Sequence, residues 1–359
     1  MIRFMAPDLP HPSGGIKVIY NYVEHLVDLG YDACVWHGTP GFGYSSWEHH
    51  APVETGLALE FIPGDVLVMP ETGGSKWAFL NPDTPTVMLC QGMDFVFADA
   101  GFTEDVPGAY PGWRQATCVL SVSEAISTFL EGACEQGFPI YRIPVEIESW
   151  FAPSAKRRQI ALMPRRRRED LIGAVQLLRR SGRLGDWEIV LIDGMTQPEV
   201  ASALGEAAIF LFGAEREGFG LPGAEAMAAG CYVVGFTGDG AKEYLLPDCS
   251  SVVPDSDVVA MRDLTLEAMN WFDRDRATYD EKVAIGAARV RERYSGGQVR
   301  SALDTAFSQI TAEDSASLIQ EPMIIQHYMS HGPRGGWPGR VYRGARRMAR
   351  RSIDRLSND

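Results

Sequence analysis

The stretch Ala214–Gly230, AEREGFGLPGAEAMAAG, decides how this chain folds. On its N-terminal side Ala207–Gly213, AAIFLFG, is a short, wholly apolar run of the kind buried in a parallel sheet. On its C-terminal side Cys231–Phe236, CYVVGF, is another. Between them Gly218, Phe219 and Gly220 form an approach loop, Pro222 takes the first helical position, where the N–H it lacks would have no partner, and Gly230 stands just past the helix end. The order is strand, loop, helix, strand. A loop of small residues entering a helix N-terminus offers backbone N–H groups and the positive end of a dipole, which suits a diphosphate. Glu225, in the first turn, can accept from the two vicinal hydroxyls of a ribose; charge-assisted bonds of that kind are each worth roughly 1.5–3 kcal/mol. Glu217, still in the loop, is expected beyond the diphosphate, beside a sugar. The plainer reading has Glu225 answering the helix dipole and Glu217 as a solvated loop charge. The ordered elements around the two favour the ligand reading.

The segment EREGFGLPGAEAMAAG resembles the E-x7-E signature of GT-B glycosyltransferases, specifically their large retaining family 4. Other segments agree. Ile2–Ala6 is a strand candidate, followed by Pro10–Gly15 (PHPSGG) and by an amphipathic run, Ile16–Leu29, that ends at Gly30. These resemble that family's first strand, its GG loop over the donor phosphates and its first helix. Cys118–Ser123 with Glu124–Leu130 resembles a strand ending in serine and its helix, and Tyr141–Pro153 resembles the interdomain hinge; together the matches cover roughly residues 1 to 310. The resemblance implies an α/β chain of GT-B architecture, two Rossmann-like domains with parallel sheets facing an interdomain cleft. It also implies a nucleotide-diphosphate sugar as donor, held by Glu225, Gly14, Gly15, Gly218, Phe219, Gly220 and Leu221, with Glu217 at the transferred sugar.

Cations for the diphosphate lie in Ile160–Asp170, IALMPRRRRED, after a strand-like start to the second domain. In the family an arginine and a lysine on this loop grip the phosphates. Arg165 matches the first by register, and Arg168 the second if the loop is about two residues shorter. Arg can stand in for Lys, since its planar fork binds phosphate bidentately. Arg166 and Arg167 are expected to face solvent. Catalysis would rest on pre-placed positive charge at the leaving diphosphate, with retention of anomeric configuration and no dedicated protein base. Many family members carry a histidine after a first-domain strand, facing the transferred sugar; here Thr86–Asp94 reads TVMLCQGMD, and Gln91 takes that place. Glu71, after the strand-like Asp65–Pro70, is a further candidate for acceptor contact, with a solvated loop carboxylate as the alternative.

No cofactor or metal is expected: the seven histidines are scattered, His49 and His50 lack ligand partners at metal spacing, and the D-x-D string Asp255–Asp257 reads as a helix cap. With 359 residues, 45% apolar and 22% charged, the chain has room for two cores. Residues 1–145 are expected to form the acceptor-side domain and 146–296 the nucleotide-sugar domain. Residues 297–330 should return to the first domain, with a crossover helix around Gly297–Ile310. The remaining segment, 331–359, holds eight arginines and two aspartates in a chain of formal charge −14. Its Arg340–Leu356 part places Val341, Tyr342, Ala345, Met348, Ala349, Ile353 and Leu356 in one helical sector with arginines around the rest. Such a helix suits an anionic membrane surface through Arg340 to Arg355, the chain's own acidic body or a partner. Nucleic acid is disfavoured, because the acidic body would repel phosphate. Six widely spaced cysteines, the absence of a visible targeting or membrane-spanning segment and the basic tail lead to the expectation of a cytoplasmic, peripherally membrane-bound enzyme. The function expected is sugar transfer to a glycan or lipid-linked acceptor in cell-surface polysaccharide or glycolipid synthesis. The alternative is a non-catalytic GT-B protein that binds sugar nucleotide or glycolipid.

Overall fold

The computed structural model describes residues 1–314, apart from 11–12, 46, 63, 72–85, 99 and 104, together with residues 323–326. The first part of the chain supplies β1 (Ile2–Met5), α1 (Gly14–Asp28), β2 (Ala33–His37), β3 (Val53–Thr55), β4 (Ala58–Phe61), β5 (Val66–Pro70), β6 (Thr86–Cys90), β7 (Ala116–Ser121), α2 (Glu124–Ala133) and β8 (Ile140–Arg142). Seven of these strands pair in parallel in the order β3-β2-β1-β5-β6-β7-β8. Every residue of β2, β5 and β6 is buried. Apolar runs without alternation are what a sheet covered on both faces requires.

The second part supplies β9 (Arg157–Leu162), α3 (Arg168–Arg180), β10 (Glu188–Leu191), α4 (Gln197–Glu206), β11 (Ala207–Ala214), α5 (Leu221–Ala228), β12 (Tyr232–Thr237) and β13 (Ser250–Val252), followed by α6 (Val258–Arg274), α7 (Arg276–Arg293) and α8 (Gly296–Asp314). Its five strands are all parallel, in the order β10-β9-β11-β12-β13. β11 is buried along its whole length, as its AAIFLFG run predicts. One apolar core continues across the domain boundary, from Phe4 and Val87 to Phe219 and Tyr294, while a second lies between β9, α3 and α6.

Two helix starts differ from the sequence reading. α1 begins at Gly14 rather than Ile16, because the Ser13 hydroxyl accepts from the Ile16 N–H at 3.3 Å and caps the helix there. In α5 the first helical residue is Leu221 and Pro222 is second, because Gly220 occupies the cap position with φ +88°, a left-handed conformation that glycine adopts without strain. The C-terminal end follows the expectation, with Gly230 at φ +79° just beyond it. Asp257 caps α6 by accepting from the Ala260 N–H at 2.8 Å.

The chain crosses between the domains twice, and the crossings touch. Ile147, on the outward crossing, donates its N–H to the Tyr294 carbonyl on the return at 2.8 Å. A side chain at Gly296 would meet the Glu146 carboxylate at 2.6 Å. α8 then packs on the first domain: Phe307 lies 6.0 Å from Phe4, ring to ring, and Asp304 accepts from the Tyr31 hydroxyl at 2.9 Å. Beyond it β14 (Met323–Gln326) pairs antiparallel with β4. Among the described residues no helix is long and apolar enough to cross a membrane. The basic segment Arg340–Leu356 lies outside the described residues.

Candidate active site in the interdomain cleft

The loop between β11 and α5 is held from three directions. From behind, Gly240 donates its N–H to the Glu217 carbonyl at 2.9 Å, and the Tyr244 hydroxyl donates to the Gly220 carbonyl at 2.5 Å. From within, the Phe219 ring is buried against Tyr244 at 5.3 Å and Tyr294 at 4.8 Å. Phe219 is therefore an anchor, and its backbone is the part able to meet a ligand. From in front, the first domain closes on Gly218, where a Cβ would lie 1.9 Å from the Gln91 carbonyl oxygen. Only glycine permits that approach.

Three first-domain elements converge on the loop. Gly14 opens α1 against Leu221, with 3.0 Å between its missing Cβ and Leu221 Cδ1. Gly15 faces Gln91, whose side-chain amide donates to the Gly15 carbonyl at 3.1 Å. Lys17 lies one helical turn past Gly14 and Glu225 one turn past Leu221, so the contact between the two helix starts turns these side chains toward each other. Lys17 is half-buried, lies 5.9 Å from the centre of the Trp47 ring, and forms no direct ion pair among the described residues. Burial pulls its ammonium below the usual range, Glu225 and Glu148 oppose that pull, and Arg165 adds to it. Glu225 is half-buried, and desolvation pushes its carboxyl up to about 7, with Lys17 the one attraction opposing the shift. Glu148, on the outward crossing, is also pushed up to about 7, first by burial and then by Glu146, Glu24 and Glu225.

Glu217 is half-buried at the other end of the loop, with Arg166 Nε 3.3 Å from its carboxylate. Burial raises its pKa, while Arg166 and Arg165 pull it back. The arginine run thus divides in a way its sequence does not announce. Arg165 stays exposed within electrostatic reach of Glu217. Arg166 is exposed, as expected, and its Nε also pairs with Glu217. Arg167, expected to face solvent, does not: it sits at φ +46° before α3, donates to Asp170 at 3.2 Å, Ser256 at 2.9 Å and Asp255, and stacks over Phe236 at 4.9 Å. Arg168 opens α3, exposed and without a hydrogen bond or ion pair among the described residues.

Glu71 also departs from one expectation. It is no solvated loop carboxylate: it is 3% exposed at the end of β5, and burial pushes its carboxyl up to about 8 against the backbone N–H groups of Glu71, Gln91 and Gly92. Its Oε2 has no hydrogen-bond partner among the described residues. Glu71 thus stands directly behind Gln91. Lys17 and Glu148 were not singled out by sequence, and Arg166 was read only as facing solvent. A lysine two residues after a GG pair is a usable signal, whereas nothing local marks Glu148 or the pairing of Arg166 with Glu217.

Residues 164–270, which include the arginine run and the whole Glu217–Glu225 loop, match the family model of the glycosyl transferases group 1. Within the second domain the chain is thus similar to the group 1 glycosyl transferases. The chain as a whole has the two-domain GT-B fold. It superposes on the sucrose-phosphate synthase of Thermosynechococcus elongatus with TM-score 0.64 at 15% identity, over 87% of this chain and 99% of that one. HepE of Anabaena, solved with UDP and glucose, gives TM-score 0.64 at 14% identity, over 86% and 99% of the two chains. An alpha-1,6-glucosyltransferase of Actinobacillus pleuropneumoniae serotype 7 (strain AP76) is 41% identical over 104 residues, 28% of this chain; the match spans 32% of that relative's length.

Proposed function

We propose that this protein is a retaining glycosyltransferase that moves a sugar from a nucleotide-diphosphate donor to a glycan or lipid-linked acceptor in cell-surface polysaccharide or glycolipid synthesis. The observation that carries the reading is the meeting of two helix starts, at Gly14 and Leu221, with Lys17 and Glu225 behind them and the Glu217–Arg166 pair beside them. The glycosyl transferase domain match and the similarity to a glucosyltransferase support the reaction class. The UDP and glucose bound to HepE support a nucleoside diphosphate as the donor's leaving part.

In this reading the ribose hydroxyls bond to Glu225, the diphosphate lies at the start of α5 under Arg165, Arg168 and Lys17, and the transferred sugar reaches Glu217, which Arg166 orients. The bond between the anomeric carbon and the phosphate oxygen breaks, the electron pair goes to the diphosphate, and the cations stabilise that charge as it grows. The acceptor hydroxyl attacks from the face the diphosphate leaves, and a phosphate oxygen takes its proton. Gln91 borders the acceptor side. We assign the arginine-rich segment Arg340–Leu356 to anionic lipid beside the acceptor, each basic residue contributing on the order of 1 kcal/mol near such a surface.

Calorimetric titration with UDP, GDP, ADP and dTDP tests the site. One nucleotide should bind clearly and weaken about ten- to a hundredfold in Glu225→Ala, as loss of a charge-assisted bond requires. Binding by none of the four would remove the transferase reading.

A further inference from the structure

Glu243 is a charged residue in a place where a core needs none. It closes a single 3-10 turn, Gly240–Glu243, in the second domain, and its carboxylate is 3% exposed. The partners of its carboxylate come from across the domain boundary or from the return crossing. Oε2 accepts from the Glu124 N–H at the start of α2 at 2.7 Å, where the helix dipole also favours a negative charge. Oε1 accepts from Arg142 at 3.0 Å and from the Tyr294 hydroxyl at 2.6 Å. Arg142 also donates to the Glu124 carboxylate at 2.9 Å. Arg293 joins the same group, donating to Glu124 at 3.0 Å and to the Glu243 carbonyl at 2.8 Å.

The same short turn holds the donor loop. Gly240 donates to the Glu217 carbonyl, and a Cβ on Gly240 would lie 2.2 Å from the Gly218 carbonyl oxygen. Tyr244, next after Glu243, bonds Gly220, and Tyr294 packs on Phe219. Four residues of the loop thus hang on a segment whose carboxylate is gripped by the other domain. Buried ion pairs add little net stability, because desolvation offsets their attraction, but they do select one geometry.

We propose that Glu243 is a positioning residue that couples closure of the two domains to the geometry of the Glu217–Gly220 loop. The carboxylate engages α2 and Arg142 when the cleft is closed, and the turn it terminates then sets Glu217 and Gly220 in place. The coupling to turnover rests on the transferase reading; the coupling to closure does not.

The experiment compares wild type, Glu243→Gln, Arg142→Met and the double variant. Glutamine keeps the shape but loses the charge, and Arg142 lies partly exposed, so its replacement is the milder change should Glu243→Gln fold poorly. Small-angle scattering of the nucleotide-free protein reads closure, titration with UDP, GDP, ADP and dTDP reads the nucleotide site, and hydrolysis of UDP-glucose, GDP-mannose, ADP-glucose and dTDP-glucose reads turnover. The expected result is a larger radius of gyration in each single variant, kcat lowered about tenfold or more, and nucleotide affinity within about threefold of wild type. The double variant should be no worse than the worse single one, since both break one contact. Unchanged scattering in both single variants, or losses that simply add, would overturn the proposal. Wild type that neither binds nucleotide nor hydrolyses any donor would instead sink the transferase reading, and the scattering comparison would still decide the latch.

Discussion

The two walls of the cleft are built in opposite ways. On the second-domain wall, Glu217, Gly218, Gly220, Leu221 and Glu225 lie within one strand-loop-helix unit, and the arginines follow the neighbouring strand. On the first-domain wall, Gly14, Gly15 and Lys17 come from the start of α1, Glu71 from the end of β5 and Gln91 from the end of β6, brought together by the parallel sheet order. A wall made of consecutive residues keeps its chemistry as a pattern in the sequence. A wall assembled by topology distributes the same amount of chemistry over positions that carry no common spacing.

The sharpest way to break the comparison is to force the walls apart. Gly218→Ala places a methyl group where 1.9 Å separates it from the Gln91 carbonyl, so the cleft cannot close as it does in wild type. Turnover should fall about a hundredfold or more, the scale of loss that follows from displacing reacting groups by about 1 Å. Nucleotide affinity should change much less. Steady-state kinetics beside calorimetry measures both, and an active Gly218→Ala enzyme would mean that the closed contact is not the working one.

A subtler test asks whether the first-domain wall touches the donor at all. If Lys17 helps hold the diphosphate, Lys17→Met should weaken binding of the preferred nucleotide diphosphate about tenfold and leave binding of the free nucleoside unchanged. Equal affinities for wild type and variant would confine donor binding to the second-domain wall and sharpen the division between the two.

The smallest effect on activity is expected behind the first-domain wall, at Glu71, and it should appear in stability instead. Its folded pKa, about 8, lies above the value of an exposed glutamate, so the folded state binds the extra proton more tightly than the unfolded state. Wild type should therefore lose stability as pH rises from about 4 to about 8, with no further loss above that window. Glu71→Gln cannot ionise, and its advantage should grow over the same range to at most about 5 kcal/mol. Thermal unfolding between pH 4 and pH 9 checks this, and a pH-independent difference would show that Glu71 ionises in the folded protein as readily as in the unfolded chain.

The central sheet strands were legible because buried parallel strands cannot hide their composition: AAIFLFG, CYVVGF and VLVMP all read as continuous apolar runs, whereas shorter strands such as Val53–Thr55 and Ser250–Val252 carry no such run. The loop between β11 and α5 was legible because its two glutamates, its glycines and its helix lie together. Arg167 was misread because its role is fixed by Asp255, 88 residues away, a distance no local pattern spans. Pro222 was misplaced by one position, since either Leu221 or Pro222 can open a helix and the left-handed Gly220 makes the choice. Glu243 gave no signal at all. A buried carboxylate reads like any surface glutamate until the opposing helix end and arginine are in view.

The paired crossings between the domains have a mechanical consequence. A single tether would let one domain swivel and drift in any direction relative to the other. Two strands of chain that run side by side and are bonded through Ile147 and Tyr294 act instead as the two knuckles of a door. Swinging about the line through them is the softest motion left, while sliding and twisting must strain both strands together. The amplitude of that swing is least at the crossings and grows with distance from them, so each opening returns the two walls along the path by which they parted.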